Sequence, residues 1–243
     1  MTFYFLNIFI LKNKINIYIM RSIVKISNSA GCGALNDAPC FEREICSNKE
    51  LHLKHDRNYK FETPVTINNI MNFVIDGHGC TISSIFDVKS LFNLVGVNNN
   101  ITFRNIIFVC HSLEGDNSAA IVCNDPSSSV TSFKIDSCNT YSNKGLLYIG
   151  HAYYEYAEIE NLTVRNCRVN PTDMVARAID INRIVVNGSI TGNTVEIRNG
   201  TPLNTIYLHE NSHSCEISNN TFQSTLSHVY KRSTSNNTSA KQS

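Results

Sequence analysis

Asp180 and Glu210 stand on two segments built alike, AIDINR (178–183) and NTIYLHE (204–210), Asp180 within the strand and Glu210 at its end. Along a strand, alternation sends the residues between the apolar ones to the opposite side. GLLYIGH (145–151) has the same pattern and adds Tyr148 and His151. Superposed, the three segments put Tyr148, Asp180 and Tyr207 in one outward column and Asn182 with His209 in the next. Asp125, His151, Arg183 and Glu210 fall at the strand end. An acid between two aromatic faces suits a sugar ring, which takes stacking plus a few directed hydrogen bonds. Asp180 and Glu210 also have the chemistry of a glycosidase acid/base pair, with His209 and Arg183 beside them. Tyr154, in the tyrosine-rich stretch HAYYEYAE (151–158), is expected to wall the same groove from a loop. The expected catalytic groups are therefore Asp180, Glu210, His209 and Arg183. The expected glycan contacts are Tyr148, Tyr207, Asn182, His151 and Tyr154. A plain solvated face explains the same residues, since any half-exposed strand must place polar groups outward.

VIDGHGCTI (74–82) is a second candidate, a histidine between two glycines with Asp76 alongside, and it reads either as a catalytic group or as a tight bend. No CxxC pair occurs and no Cys-His signature is present, so a zinc knuckle or thiol nucleophile is not expected, nor any metal or cofactor.

Positioning these groups requires many short strands. Asn, Ser and Gly, which favour turns, alternate with Ile, Val and Phe, which favour strands, and no capped 3.6-residue apolar stripe is found. Charged residues are only 17% and the net charge is +1, which leaves no field for nucleic acid or an anionic membrane. The 9 cysteines are odd in number and many for a cytosolic chain. With sequons at Asn100, Asn161, Asn187, Asn199, Asn219, Asn236 and Asn237, they predict an extracellular or surface-associated glycoprotein with disulfides. Residues 1–30, with the apolar run Phe3 to Leu11, read as a leader or an added strand.

One hexad recurs: IDGHGC from Ile75, FRNIIF from Phe103, IDSCNT from Ile135, VRNCRV from Val164, ITGNTV from Ile190 and ISNNTF from Ile217. These starts are 28, 32, 29, 26 and 27 residues apart. Its third column is Gly77, Asn105, Ser137, Asn166, Gly192 and Asn219, and three residues before each start come Asn72, Asn100, Ser132, Asn161, Asn187 and Ser214. Gly and Asn reach positive φ most cheaply, so both columns predict bends. The fourth column places His78, Ile106, Cys138, Cys167, Asn193 and Asn220 inside the bend, with Cys138 and Cys167 as stacked thiols. The second column predicts a ladder of Asp76, Arg104, Asp136 and Arg165. Such a period describes a β-solenoid, whose repeats bury their apolar faces only against one another.

Turns of this length with IDGHG, TFRNIIF, LTVRNC and ISNNTF resemble the right-handed parallel β-helix of the pectate-lyase-like (pectin lyase fold) superfamily. The resemblance covers residues 67–222 and implies a fold more than a function. Polygalacturonases on this fold carry a catalytic Gly-His-Gly late in the chain with Asn-Thr-Asp and paired-Asp motifs. Here Gly77-His78-Gly79 lies in the first legible coil and neither partner follows, so the resemblance implies a structural turn. The Arg-x-Pro-x-Arg stretch of pectate lyases is absent as well. GCGALNDAPCFEREIC is similar to the cysteine-bearing N-terminal segments of extracellular β-helix proteins, which implies a cap sealed by Cys32 with Cys40 or Cys46.

The expected architecture is an all-β, right-handed parallel β-helix of about six coils, with a cysteine-bearing cap at 31–66, the helix at 67–227 and a polar tail at 228–243. The expected role is a glycan-binding or surface-associated module whose partner is a polysaccharide or glycan surface. A polysaccharide hydrolase or lyase on uronate-type polymers is the alternative, and a spacer or a piece of a larger virion or cell-surface protein is the third. The last coil has no evident cap, so a second copy or a continuing parent chain is expected there.

Overall fold

The computed structural model describes residues 22–25, 36–111, 118–142, 145–151, 158–171, 177–196, 205–223 and 229–231, and over them the chain is a parallel β-solenoid. Short strands line three faces of each coil. The third strands form a 7-stranded sheet of Val65–Asn68, Phe92–Val95, Ala119–Cys123, Gly145–Ile149, Ile179–Ile181, Ile206–Leu208 and Val229–Lys231, each pairing only with the coil before and after. The first and second strands share a 14-stranded sheet, because the bend between them is short enough for strands such as Val97–Cys110 to run through it.

The hexad alignment is the pairing register: Ile75, Phe103, Ile135, Val164, Ile190 and Ile217 are successive partners. So are Leu147, Ile179 and Ile206 on the third face. These side chains are buried, and each large apolar one contributes about 1.5–3 kcal/mol relative to exposure. The bends are where the sequence puts them. Asn72, Asn100, Ser132, Asn161, Asn187 and Ser214 have φ of 52–58°, and Asn105, Ser137, Asn166, Gly192 and Asn219 have φ of 54–65°.

The second coil departs from this scheme. The register shifts between Asp76 and Cys80, so that Gly77, His78 and Gly79 together stand opposite Asn105. The left-handed residues there are His78 (φ 49°) and Gly79 (φ 85°) rather than Gly77. Cys80, not His78, pairs with Ile106 and enters the buried inner column. The two additional residues push His78 out to the surface.

At the N-terminal end the helix Ala38–Glu44 seats Phe41 over the core, with ring centroids 5.3 Å from Tyr59 and 4.9 Å from Phe61. The expected cap also contains a coil: Lys49–His52, Asn58–Phe61 and Val65–Asn68 pair in register with the next turn. KELH lacks the hexad pattern and a longer loop replaces the one-residue bend, which hid this coil from the repeat. Ser22–Lys25 adds a strand against Lys49–His52, and Val229–Lys231 adds one beyond Ile206–Leu208, inside the expected tail.

No disulfide joins any two of the described cysteines, contrary to expectation. The implied pairing of Cys32 lies outside the described residues. Cys138 and Cys167 do stack inside the bend as thiols; burial pushes Cys138 well above its ordinary range and raises Cys167 to about 12, so both are inert.

Candidate functional site

The outward row of the third face runs Asn93, Val122, Tyr148, Asp180, Tyr207 in direct register. Tyr148, Asp180 and Tyr207 are thus neighbours on successive coils, as the superposed segments imply. Their surroundings differ from expectation. Tyr148 is only 6% exposed, because Ala119 and Val122 leave room that its ring fills. It is therefore no stacking platform.

Asp180 Oδ1 accepts from Arg177 Nη1 at 2.8 Å and from Asn182 Nδ2 at 3.1 Å. Burial pushes its carboxyl up, and this outweighs the lowering by Arg177, Asn182 and the nearby His151. The guanidinium carbon of Arg177 also lies 4.4 Å from the centroid of Tyr207, in cation–π geometry. Arg177 was missed in the sequence because it precedes the strand that carries the pattern. It occupies the aromatic face and the carboxylate together.

Arg183 is buried and turned inward. Its Nε donates to Gly150 O (2.8 Å), its Nη2 to Asp125 O (2.9 Å) and its Nη1 to Ser128 O. A guanidinium buried to 3% exposure and committed to three backbone carbonyls holds coils together and is not presented to a ligand on the outer face. Asn182 Nδ2 is also 3.3 Å from Ile149 O, and His209 Nδ1 accepts from Asn211 N–H at 3.3 Å. His151 and Glu210 are exposed. Tyr154 lies outside the described residues.

Beside the N-terminal half of the row is a cleft of about 530 Å³, lined by Pro64, Asp87, Val88, Lys89, Ser90, Asn93, Val122, Asn124 and Asp125. Asp125 Oδ1 accepts from the Ser127 hydroxyl (2.7 Å) and amide (2.9 Å), which lowers its carboxyl. Asp87 and Lys89 precede the Phe92–Val95 strand, in a stretch the repeat template does not cover. No sequence signal marked them.

A second cluster stands on the first face, at the widened bend of the second coil. Asp76 is in register with His52 on one side and Arg104 on the other. Its Oδ1 accepts from His78 N (3.1 Å) and Asn105 Nδ2 (3.0 Å), its Oδ2 from Arg104 Nε (2.7 Å). Burial raises this carboxyl, but the hydrogen bonds from Asn105, His78 and Arg104 prevail and hold it below its ordinary value. Arg104 also reaches Glu50. The rings of His52 and His78 stack with centroids 5.1 Å apart, and Nδ1 of His52 lies 2.8 Å from Nε2 of His78. The expected charge ladder is formed, with Arg165 Nη2 2.7 Å from Asp136 Oδ2. Its first rung carries the histidines. His52 escaped notice because the first coil did.

Comparison of this chain with family models, curated proteins and solved structures finds no match.

Proposed function

We propose that this chain is a glycan-binding parallel β-helix, related to the pectate-lyase-like superfamily and working outside the cell or on a surface. The single observation that carries the reading is the cleft of about 530 Å³ on the third face, whose lining alternates amide, carboxylate and ammonium groups with apolar ones. Saccharides are bound by such mixtures, because every hydroxyl needs a directed partner while the ring faces need apolar contact. The cleft includes Asn93 and Val122, the first two members of the row that continues through Tyr148, Asp180 and Tyr207. A glycan array followed by titration tests it: wild-type protein binds one class of oligosaccharide, and Lys89→Ala and Asn93→Ala each weaken binding about fivefold or more. Absence of binding across neutral and uronate oligosaccharides would overturn the reading in favour of a spacer.

The hydrolase reading has one supporting observation: burial pushes the carboxyl of Asp180 up, the direction a general acid needs, against the lowering by Arg177 2.8 Å away. Incubation with uronate polymers decides it. Product release that Asp180→Asn abolishes supports hydrolysis, and binding without products supports the module alone.

A further inference from the structure

The histidine pair at the widened bend has the donor set of a metal site. His52 Nε2 is 3.3 Å from Glu50 Oε1, and His78 Nδ1 is 3.7 Å from Asp76 Oδ1. A carboxylate beside a ring nitrogen favours the proton on that nitrogen. Glu50 thus favours the proton of His52 on Nε2 and leaves His52 Nδ1 as a lone pair facing His78 Nε2 at 2.8 Å, while Asp76 Oδ1, at 3.7 Å, is too far to fix the tautomer of His78. The lone pair of His52 Nδ1 is held by an N–H of His78 Nε2 in the absence of an ion, and by a shared metal ion when both nitrogens turn their lone pairs to it. We propose that His52 Nδ1 and His78 Nε2 chelate a divalent transition-metal ion of the zinc, nickel or copper class.

The surrounding chemistry fits. Metal-bound imidazoles characteristically donate their other N–H to a carboxylate, which fixes the tautomer and orients the ring, and Glu50 stands where the partner of His52 is needed. Two nitrogens on one tetrahedral zinc lie about 3.3 Å apart, given Zn–N bonds of about 2.05 Å. The pair opens by about half an ångström to admit the ion, a small rotation for rings of which His78 is 45% exposed. One ligand atom each from His52, Asp76 and His78 already falls within 4.8 Å of the others. Asp76 acts mainly through His78, because Arg104, Asn105 and the His78 amide occupy its oxygens. Glu50, Asp76 and Arg104 together leave one net negative charge beside the pair, which favours a cation. Solvent supplies the remaining ligands.

The bend is shaped for this purpose. In the five later coils one left-handed residue turns the corner, whereas here Gly77-His78-Gly79 loops out and carries the imidazole towards its neighbour on the preceding coil. A Cβ on Gly77 would come within 2.5 Å of Asn105 O, so a glycine is needed for the loop to sit so close. The site is separate from the third-face cleft and independent of glycan binding.

Calorimetric titration of the full chain with Ni²⁺ and with Zn²⁺, in reductant, tests the assignment. His78→Asn keeps a residue that tolerates positive φ, and His52→Gln removes the other ligand from a strand. One ion per chain is expected, weakened at least tenfold in each variant and about 10–100-fold in Glu50→Gln, with His111→Gln unchanged. Equal affinity in wild type and both histidine variants overturns the site. So does a ¹⁵N imidazole spectrum that shows a single shared proton and no response to either metal.

Discussion

Arg183 donates to the backbone carbonyl of Asp125, 58 residues earlier, across 2.9 Å. The same guanidinium holds Gly150 O and Ser128 O, so one buried side chain joins three successive coils at the end of the third face. Truncating it leaves carbonyls without donors in a dry place. Arg183→Ala is expected to destabilise the chain by about 3–5 kcal/mol, measured by urea unfolding. Arg183→Lys should recover only part of this, because an ammonium lacks the planar fork. A variant with wild-type stability would return Arg183 to the list of free site residues.

The Asp136–Arg165 rung makes stability depend on acid. Burial pushes the Asp136 carboxyl up, but hydrogen bonds from Arg165, Lys134 and Ser137 prevail and bring it to about 2, against 3.8 for the unperturbed group. A depressed folded-state value means that the stabilisation is present above about pH 4 and is lost as pH falls through about 2. The shift corresponds to at most about 2 kcal/mol, and screening at the 46%-exposed Arg165 reduces it to about 1. Urea unfolding of wild type and Asp136→Asn should differ by that amount at pH 7 and converge at pH 2.

Gly77 and Gly79 are required for different reasons, and substitution separates them. At Gly77 an added Cβ meets Asn105 O at 2.5 Å and Ile106 Cγ1 at 2.6 Å, both fixed by the neighbouring coil. Gly77→Ala is expected to destabilise by about 1–3 kcal/mol, as overpacking does. At Gly79 there is room but φ is 85°, so Gly79→Ala should cost about 1 kcal/mol and Gly79→Asn less. Thermal unfolding gives the order; Gly79→Ala worse than Gly77→Ala would contradict it.

Asn193 replaces the thiols of the preceding coils with an amide that is fully used. Its Nδ2 donates to Val164 O (3.0 Å) and Asn220 Oδ1 (2.9 Å), and its Oδ1 accepts from Cys167 N (2.9 Å). Asn193→Leu is expected to lose about 2–3 kcal/mol, since it strands these groups and overfills the bend. Asn193→Cys restores the residue type found at 138 and 167 and should lose less. Equal losses on urea unfolding would show that the column has no preference for small polar side chains.

Period and bends were legible in the chain because each coil repeats one local requirement: a residue that tolerates positive φ, flanked by residues that alternate in and out. Asn161, Asn166 and Asn187 satisfy it in the folded molecule as they do on paper. The same requirement blurs the glycosylation signal, since Asn100, Asn161 and Asn187 stand at bends before Ser- or Thr-bearing strands for backbone reasons. Where the repeat lapses, the reading lapses with it. By sequence Lys49–His52 and its coil read as a cap and Val229–Lys231 as a tail, and the two residues added at Gly77–Gly79 reverse the direction of His78.

The residue pattern alone determined the parallel solenoid, its register at the six hexad starts and the row Tyr148, Asp180, Tyr207, because stacked identical coils turn sequence period directly into spatial neighbourhood; at Phe92–Val95 the pairing with Ile121 falls on Phe92, two residues before the Leu94 that the period alone would align. Tertiary structure alone decided which members of that row are available. Tyr148 sinks against Ala119 and Val122, Arg177 covers Tyr207 and holds Asp180, and Arg183 turns inward to carbonyls two coils away. Long flexible side chains choose partners by reach across coils, and alternation along a strand specifies only the side from which they start. His52 and His78 meet for the same kind of reason: 26 residues separate them in the chain, and a bulge of two residues brings their nitrogens to 2.8 Å.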